Sequence, residues 1–209
     1  MLEQARQLLK AFDNQEEKWH QPFPMGVFGT LRLGCGNHYL MGNEQGKPPP
    51  QVEQFRYDRP PYQSHHKAFM PHFVAVGLSI HHNPGSSAVF EVFTYTPEDW
   101  SDMIGSVDSL EGFHPTSTQG YSYSYHRTLT WLHILPDDFE SPHYEGTGLW
   151  GRGPRDLEIP KETWDQYERV PCWVYSSLHD NGLSRGLSDT PIIWCGDEVV
   201  VVEDAEDFL

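Results

Sequence analysis

Residues 25–34 read MGVFGTLRLG, and this stretch decides the fold. Met25–Phe28 is a short apolar run typical of a buried strand, and Gly29 breaks it into a turn. A turn that leaves a strand in this way exposes successive backbone N–H groups, which bind a carboxylate or a developing oxyanion. Gly29 lets a ligand approach the backbone closely because it has no Cβ. The stretch therefore predicts a buried strand followed by an anion-binding turn.

A second segment predicts a helix that ends at a carboxylate. Thr96 is an N-cap candidate, Pro97 follows at the first helical position, and Gly112 is placed to end the helix. The apolar positions recur at helical spacing at Trp100, Met103, Ile104, Val107 and Leu110. Glu111 is the last residue before Gly112 and lies next to Phe113. The negative end of the helix dipole and the apolar surroundings both favour a protonated carboxyl, so we expect a raised pKa at Glu111.

Further strands and two polar segments follow from the periodicity. Residues 73–76, 88–95, 121–135, 171–175 and 198–202 read as strands, the third with one polar face on Ser, Thr and His residues. Asn83-Pro84-Gly85 predicts a turn between strands. Residues 1–24 are interpreted as an N-terminal helix or arm. Residues 25–209 form one domain with polar insertions near 43–66 and 136–169.

Composition excludes several classes of function. The net charge of −16 disfavours nucleic acids and anionic membranes as partners. No membrane span or signal peptide is visible. The chain has only three cysteines, an odd number at wide spacing, so no disulfide framework is implied. A cytoplasmic location is the default expectation, and the sequence leaves the oligomeric state open.

Other motifs lack the context that their chemistry needs. Residues 146–151 match G-x-G-x-x-G, but no strand precedes them and no helix follows. Two pairs of adjacent histidines, His65-His66 and His81-His82, suggest a metal site. The two members of a pair on a strand point to opposite faces, so one pair does not readily bind one ion. The spacing typical of metal ligands is also missing, and no metal site is predicted. A Cys35 thiolate beside His38 is one candidate nucleophile, but the pattern favours a small, buried or half-exposed cysteine in a tight turn with no catalytic role.

Four segments, taken together and in order, resemble the gamma-glutamyl cyclotransferase-like family, especially its gamma-glutamylamine branch. They are Val27–Gly34 with Asn37-His38, Val107–Phe113, Tyr125–Arg127 and Trp173–Tyr175. The resemblance covers residues 25–175. Phe28 stands where the family usually has Tyr, and Val107 where it usually has Leu.

The resemblance implies an α+β fold, a small mixed β-barrel flanked by helices. It also implies a cofactor-free reaction in which the α-amine of a small γ-glutamyl amide or peptide attacks its γ-carbonyl. The products are 5-oxoproline and a free amine or amino acid. Glu111 is the implied general acid and base, and the implied substrate-binding residues are Phe28, Gly29, Thr30, Leu31 and Tyr125.

The residues leave alternatives open. If Glu111 is not catalytic, it is an exposed carboxylate at the end of a helix. Arg127 forms an ion pair with a carboxylate either inside the barrel or at the surface. Tyr125 either lines the pocket or packs in the core. The alternative function is a non-catalytic member of the same fold that binds a small molecule or a protein. A third possibility is cleavage of a γ-glutamyl group attached to a protein or nucleic acid. The cyclotransferase interpretation requires a largely buried Glu111 in one cavity with the 29–31 turn, where Phe28 and Tyr125 also lie.

Overall fold

Eight strands and one α-helix make up most of the part of the chain that the structure describes. This computed structural model describes residues 21–42, 62–76, 79–113, 125–141, 154–177, 192–195 and 198–201. The strands are β1 Met25–Val27, β2 Ser64–Val76, β3 Ser79–Thr94, β4 Tyr125–Ile134, β5 Pro154–Arg155, β6 Arg169–Ser177, β7 Ile192–Cys195 and β8 Glu198–Val201. The α-helix, α1, is Pro97–Glu111, and His38–Met41 and Lys161–Gln166 are short 3₁₀ helices.

Five of these strands close into a barrel. Their order is β1, β3, β2, β4 and β6, and β6 returns to β1. The β1–β6 pair is parallel and the other four pairs are antiparallel. The expected small mixed β-barrel is therefore present, with few helices. β5 extends the sheet beside the far end of β2, and β7 pairs with β8 in a separate two-stranded sheet.

β1 is buried on both sides, and its central residue must be small. A Cβ built on Gly26 lies 2.4 Å from Leu132 Cδ1 of β4 and 3.1 Å from Val174 Cγ2 of the neighbouring strand β6. One core cluster fills the space between β1 and α1, and a second fills the barrel interior. Because β1 is held from every side, the turn that follows it begins from a fixed point.

The helix follows the sequence prediction at both ends and departs from it at one position. Thr96 Oγ1 accepts a hydrogen bond from Asp99 N at 3.0 Å, and Gly112 adopts the left-handed conformation at φ 70°. The predicted apolar stripe is buried at Trp100, Met103, Ile104 and Val107. Leu110 was expected in this stripe, but its side chain is 41% exposed because the helix ends at the open side of the barrel.

The hairpin of β2 and β3 is longer than the sequence predicted. Residues 64–66 were assigned to a surface loop, but they begin β2, where their polar side chains obscured the strand pattern. Asn83-Pro84-Gly85 was expected to be the turn, and that assignment is wrong. These residues lie inside β3, where the register with β2 shifts between Pro71 and Phe73. The irregularity accommodates Pro84, which donates no backbone hydrogen bond.

Polar patterning misled two further predictions. Thr130 and Leu132 are fully buried, so β4 has no consistently wet face where the structure describes it. Residues 154–169 were expected in a polar surface insertion, yet Leu157, Ile159 and Trp164 form a third core cluster against the barrel. β7 was not predicted. The predicted N-terminal helix, the G-x-G-x-x-G match and most of the 43–66 insertion lie outside the described residues.

Candidate active site

A cavity of about 180 Å³ opens where β1 runs into its turn. Residues 26–31 form one wall, and Asn37 lies beside them. The end of α1 contributes Leu110 and Glu111, and β6 contributes Tyr175. The structure therefore brings the 29–31 turn and the Glu111 carboxyl, from distant parts of the sequence, to one cavity, as the cyclotransferase interpretation requires.

The turn presents its N–H groups and keeps its carbonyls occupied. Within the described residues, the backbone N–H groups of Gly29–Leu31 have no hydrogen-bond partner. The carbonyls of the same three residues accept hydrogen bonds from Arg32 N at 3.2 Å, Asn37 N at 2.9 Å and His38 Nδ1 at 2.8 Å, respectively. With the acceptors satisfied by the protein, the turn offers its donors to a ligand. Successive unpaired amides of this kind favour an anion or an oxyanion.

His38 fixes the turn from beneath. Its side chain is fully buried and packs at a tilt against Phe93, with ring centroids 5.4 Å apart. Burial lowers the pKa of His38, and the Leu31 carbonyl can only accept, so the ring is neutral and carries its hydrogen on Nδ1. His38 therefore acts as a hydrogen-bonding support of the turn. It orients the Leu31 carbonyl and leaves the Leu31 N–H for the cavity.

Glu111 has the electrostatic character that its position predicts. Loss of solvation raises the pKa of its carboxyl to about 7, against an ordinary value of 4.5. The upward direction agrees with the prediction, and of the two predicted causes the apolar surroundings account for it. The side chain is partly exposed rather than largely buried, because helix α1 ends there and the cavity opens to solvent. A carboxyl with a pKa near 7 exchanges protons readily at neutral pH.

A hydrogen-bonded network supports the opposite wall. The Tyr175 hydroxyl donates to Asp108 Oδ1, and Arg127 Nη1 lies 3.5 Å from the same oxygen. The Arg127 guanidinium lies between the rings of Phe113 and Trp173, with centroid distances of 5.2 and 5.1 Å. Burial raises the pKa of Tyr175 well above its ordinary value, so this wall presents a neutral phenol. Arg127 was predicted to pair with a carboxylate either inside the barrel or at the surface, and in the structure it pairs with Asp108 inside the protein.

The structure shows where some of the site residues predicted from the sequence lie, and their roles stay predictions. Phe28 lines the cavity and packs against Phe90 at a centroid distance of 5.3 Å. Tyr125 begins β4, and its side chain lies outside the described residues. Tyr175, which was not among the site residues predicted from the sequence, lines the cavity. Its signal in the sequence was its place in the aromatic Trp173–Tyr175 segment, whereas its pairing with Arg127 across β4 and β6 is seen only in the structure.

The two histidines of the first pair face different carboxylates. His65 Nε2 lies 3.6 Å from Glu91 Oε2, whereas His66 Nδ1 lies 3.7 Å from Asp137 Oδ1. Among the residues that the structure describes, no group of three or more His, Cys, Asp or Glu side chains is placed to hold a metal ion. Across the same residues, no helix combines the length and apolar character needed to cross a membrane.

No protein-family model, curated protein or solved structure matches this chain.

Proposed function

We propose that the chain is a cofactor-free gamma-glutamyl cyclotransferase that releases 5-oxoproline and a free amine or amino acid from a small γ-glutamyl amide. The observation that carries the proposal is the shared cavity. It joins the partner-free amides of Gly29–Leu31 to the Glu111 carboxyl. An amide-cleaving site needs both features, because charge develops on the carbonyl oxygen while a proton moves between nitrogens.

The reaction balances with the groups at the cavity. The substrate's α-amine nitrogen forms a bond to its own γ-carbonyl carbon, and the bond from that carbon to the leaving nitrogen breaks. Glu111, with a carboxyl pKa of about 7, takes one proton from the α-ammonium group, which frees the amine to attack, and passes that proton to the leaving nitrogen. The attacking nitrogen gives up a second proton as the ring closes, and Glu111 carries it to the same leaving group, which departs as an ammonium ion. A model α-amine has a pKa of ≈ 7.7–8.0, close enough for efficient transfer in both directions. No other reactant is consumed.

The amides of the turn have two uses in this scheme. One or two of them bind the oxyanion that forms on the γ-carbonyl, and a further amide is available for the substrate's carboxylate. Because both reacting groups belong to one molecule, holding it in a cyclised pose supplies several kcal/mol of the required acceleration, up to about 7–11 kcal/mol in the most favourable systems. A cavity of about 180 Å³ suits a compact, folded γ-glutamyl group.

Phe28 supports one alternative to catalysis. Its apolar ring stands in the cavity wall at the position where the resembled family usually has a tyrosine hydroxyl. A cavity that has lost a polar group needed for turnover would still bind the γ-glutamyl group. The alternative is therefore a small-molecule binding protein built on the same barrel.

One experiment separates the two functions. The purified protein is incubated with a panel of γ-glutamyl amines and γ-glutamyl peptides, and 5-oxoproline is measured by mass spectrometry. Glu111→Gln is the matched control. Release of 5-oxoproline that depends on Glu111 supports the cyclotransferase. Binding of panel members by calorimetry without any release supports the binding protein, and neither binding nor release rejects both.

A further inference from the structure

A buried carboxylate lies directly behind the turn that carries the three amides. Glu91 is on β3, paired with Val27 of β1, and is 1% exposed. Its Oε2 accepts a hydrogen bond from Leu33 N at 2.7 Å, and its Oε1 lies 3.7 Å from Arg32 Nε. His65 Nε2 faces the same carboxylate at 3.6 Å. Both oxygens of Glu91 therefore engage the segment that immediately follows Leu31.

This arrangement couples the conformation of the turn to Glu91. A buried carboxylate is costly unless hydrogen bonds and an opposite charge compensate it. Here the compensating Leu33 N–H and Arg32 guanidinium both belong to the segment that follows Leu31, so displacement of this segment deprives the carboxylate of both. Leu33 is two residues from Leu31, and backbone geometry transmits the restraint over that distance. The opposite side of the turn is held by Asn37 and His38.

We infer that Glu91 is a positioning residue of the candidate active site. Its carboxylate holds Arg32 and Leu33, and thereby sets the direction of the Gly29–Leu31 N–H groups toward the oxyanion. This inference rests on the proposed cyclotransferase function. Glu91 does not line the cavity, and it acts through the turn rather than on the substrate.

The kinetic test compares Glu91→Ala and Glu91→Gln with a matched control. Asp156→Ala is the control, because Asp156 Oδ1 also accepts a backbone hydrogen bond, from Ser87 N, but does not line the cavity. Glu91→Ala is expected to lower kcat about 10²-fold, the effect of losing one well-placed oxyanion donor. Glu91→Gln retains an acceptor for Leu33 N and is expected to recover most of that loss. Asp156→Ala is expected to lower Tm and leave kcat unchanged.

A second readout does not depend on activity. On the ligand-free protein, nuclear magnetic resonance measures the protection of Leu33 N–H from hydrogen exchange, and spin relaxation measures the order of the Gly29–Leu31 amides. Both are expected to fall in Glu91→Ala and to be largely restored in Glu91→Gln, while Asp156→Ala leaves them unchanged. If Glu91→Ala fails to fold, the comparison of Glu91→Gln with the wild type decides, with a smaller loss of Leu33 protection and of kcat expected.

The outcomes separate the inference from the proposed function. A wild type that releases no 5-oxoproline rejects the proposed function, and the exchange measurement then still decides whether Glu91 holds the turn. A wild-type enzyme that is active, with folded Glu91 variants of unchanged kcat and unchanged Leu33 protection, overturns the inference. A fall in Tm alone, matched by Asp156→Ala, also overturns it, because Glu91 is then an ordinary structural contact.

Discussion

Asn37 is joined to Thr30 by two hydrogen bonds. Asn37 N donates to the Thr30 carbonyl at 2.9 Å, and Asn37 Nδ2 donates to Thr30 Oγ1 at 2.8 Å. Both residues line the cavity. The backbone bond turns the Thr30 carbonyl away from the ligand, and the side-chain bond leaves the Thr30 hydroxyl hydrogen available to donate. The pair therefore converts a flexible turn into an ordered set of donors.

Loss of the Asn37 side chain should weaken substrate turnover more than it weakens the fold. Asn37→Ala removes one hydrogen bond of about 0.5–1.5 kcal/mol, so a fall in kcat/KM of about 10-fold is expected. The control is Asn83→Ala, because Asn83 Nδ2 makes a similar bond to Ser86 Oγ at 2.7 Å in the irregular part of β3. Steady-state kinetics check the prediction. Equal effects of the two substitutions on kcat/KM would count against a role for Thr30 in the site.

Glu111→Gln should abolish most of the turnover while preserving the fold. Glutamine has nearly the same shape but cannot take up and return a proton, so kcat should fall by roughly 10²–10⁴-fold. KM should change little, because the amides of the turn remain. Circular dichroism and single-turnover release of 5-oxoproline are the measurements. A folded Glu111→Gln protein with normal kcat would end the assignment of Glu111 as the proton carrier.

Glu111 should also make the stability of the protein depend on pH. The folded state raises the pKa of this carboxyl from 4.5 to about 7. Between these values the folded protein binds more protons than the unfolded chain, so this contribution is fully present below about pH 4.5 and is lost as the pH rises toward 7. Glu111→Gln does not ionise. The free energy of unfolding of the variant should therefore rise relative to that of the wild type by up to about 3 kcal/mol across this range, because each pKa unit of the shift corresponds to about 1.4 kcal/mol.

Urea unfolding at pH 4.5, 6 and 8 checks this expectation. Glu158→Gln, which removes an exposed carboxylate elsewhere, provides the background effect of one lost charge. A difference between Glu111→Gln and the wild type that stays constant with pH would show that Glu111 ionises as it does in the unfolded chain.

The local parts of the site follow from the sequence, and the contacts between distant residues do not. Gly29 itself begins the turn, and Gly112 ends the helix directly after Glu111, so both features are visible in the sequence. Glu91 and Leu33 are 58 residues apart, and Tyr175 and Asp108 are 67 apart. Only strand register brings such pairs together, and side-chain periodicity does not specify it. The start of β2 was missed for a related reason, because His65, His66 and Lys67 hide the alternation.

Activity should survive removal of metals and blocking of thiols. The reaction proposed here uses a carboxyl and backbone amides, and it needs neither a metal ion nor a cysteine. Cys35 and Cys172 are 7% and 0% exposed, and burial raises the pKa of the Cys172 thiol, which makes it a poor nucleophile. Assays of 5-oxoproline release after EDTA dialysis and after iodoacetamide treatment are the tests. Loss of activity on dialysis that zinc restores would replace the carboxyl mechanism with a metal-assisted one.

Leu110 should select the leaving group. Its side chain is 41% exposed and lines the cavity next to Glu111. The leaving nitrogen must reach the Glu111 carboxyl to receive its proton, so the substituent on that nitrogen extends past Leu110. An apolar substituent buries this exposed surface, and a charged one does not. Leu110→Ser should therefore lower kcat/KM for γ-glutamyl-n-butylamide by about 10-fold, the effect of a few lost methylene contacts.

The same substitution should leave kcat/KM for γ-glutamyl-methylamide nearly unchanged, because a methyl group is too short to contact Leu110. Ser109→Ala, on the exposed side of the same helical turn, should alter neither substrate. The ratio of the two kcat/KM values is the measurement, since it cancels any general loss of activity. An unchanged ratio in Leu110→Ser would place the leaving group elsewhere in the cavity.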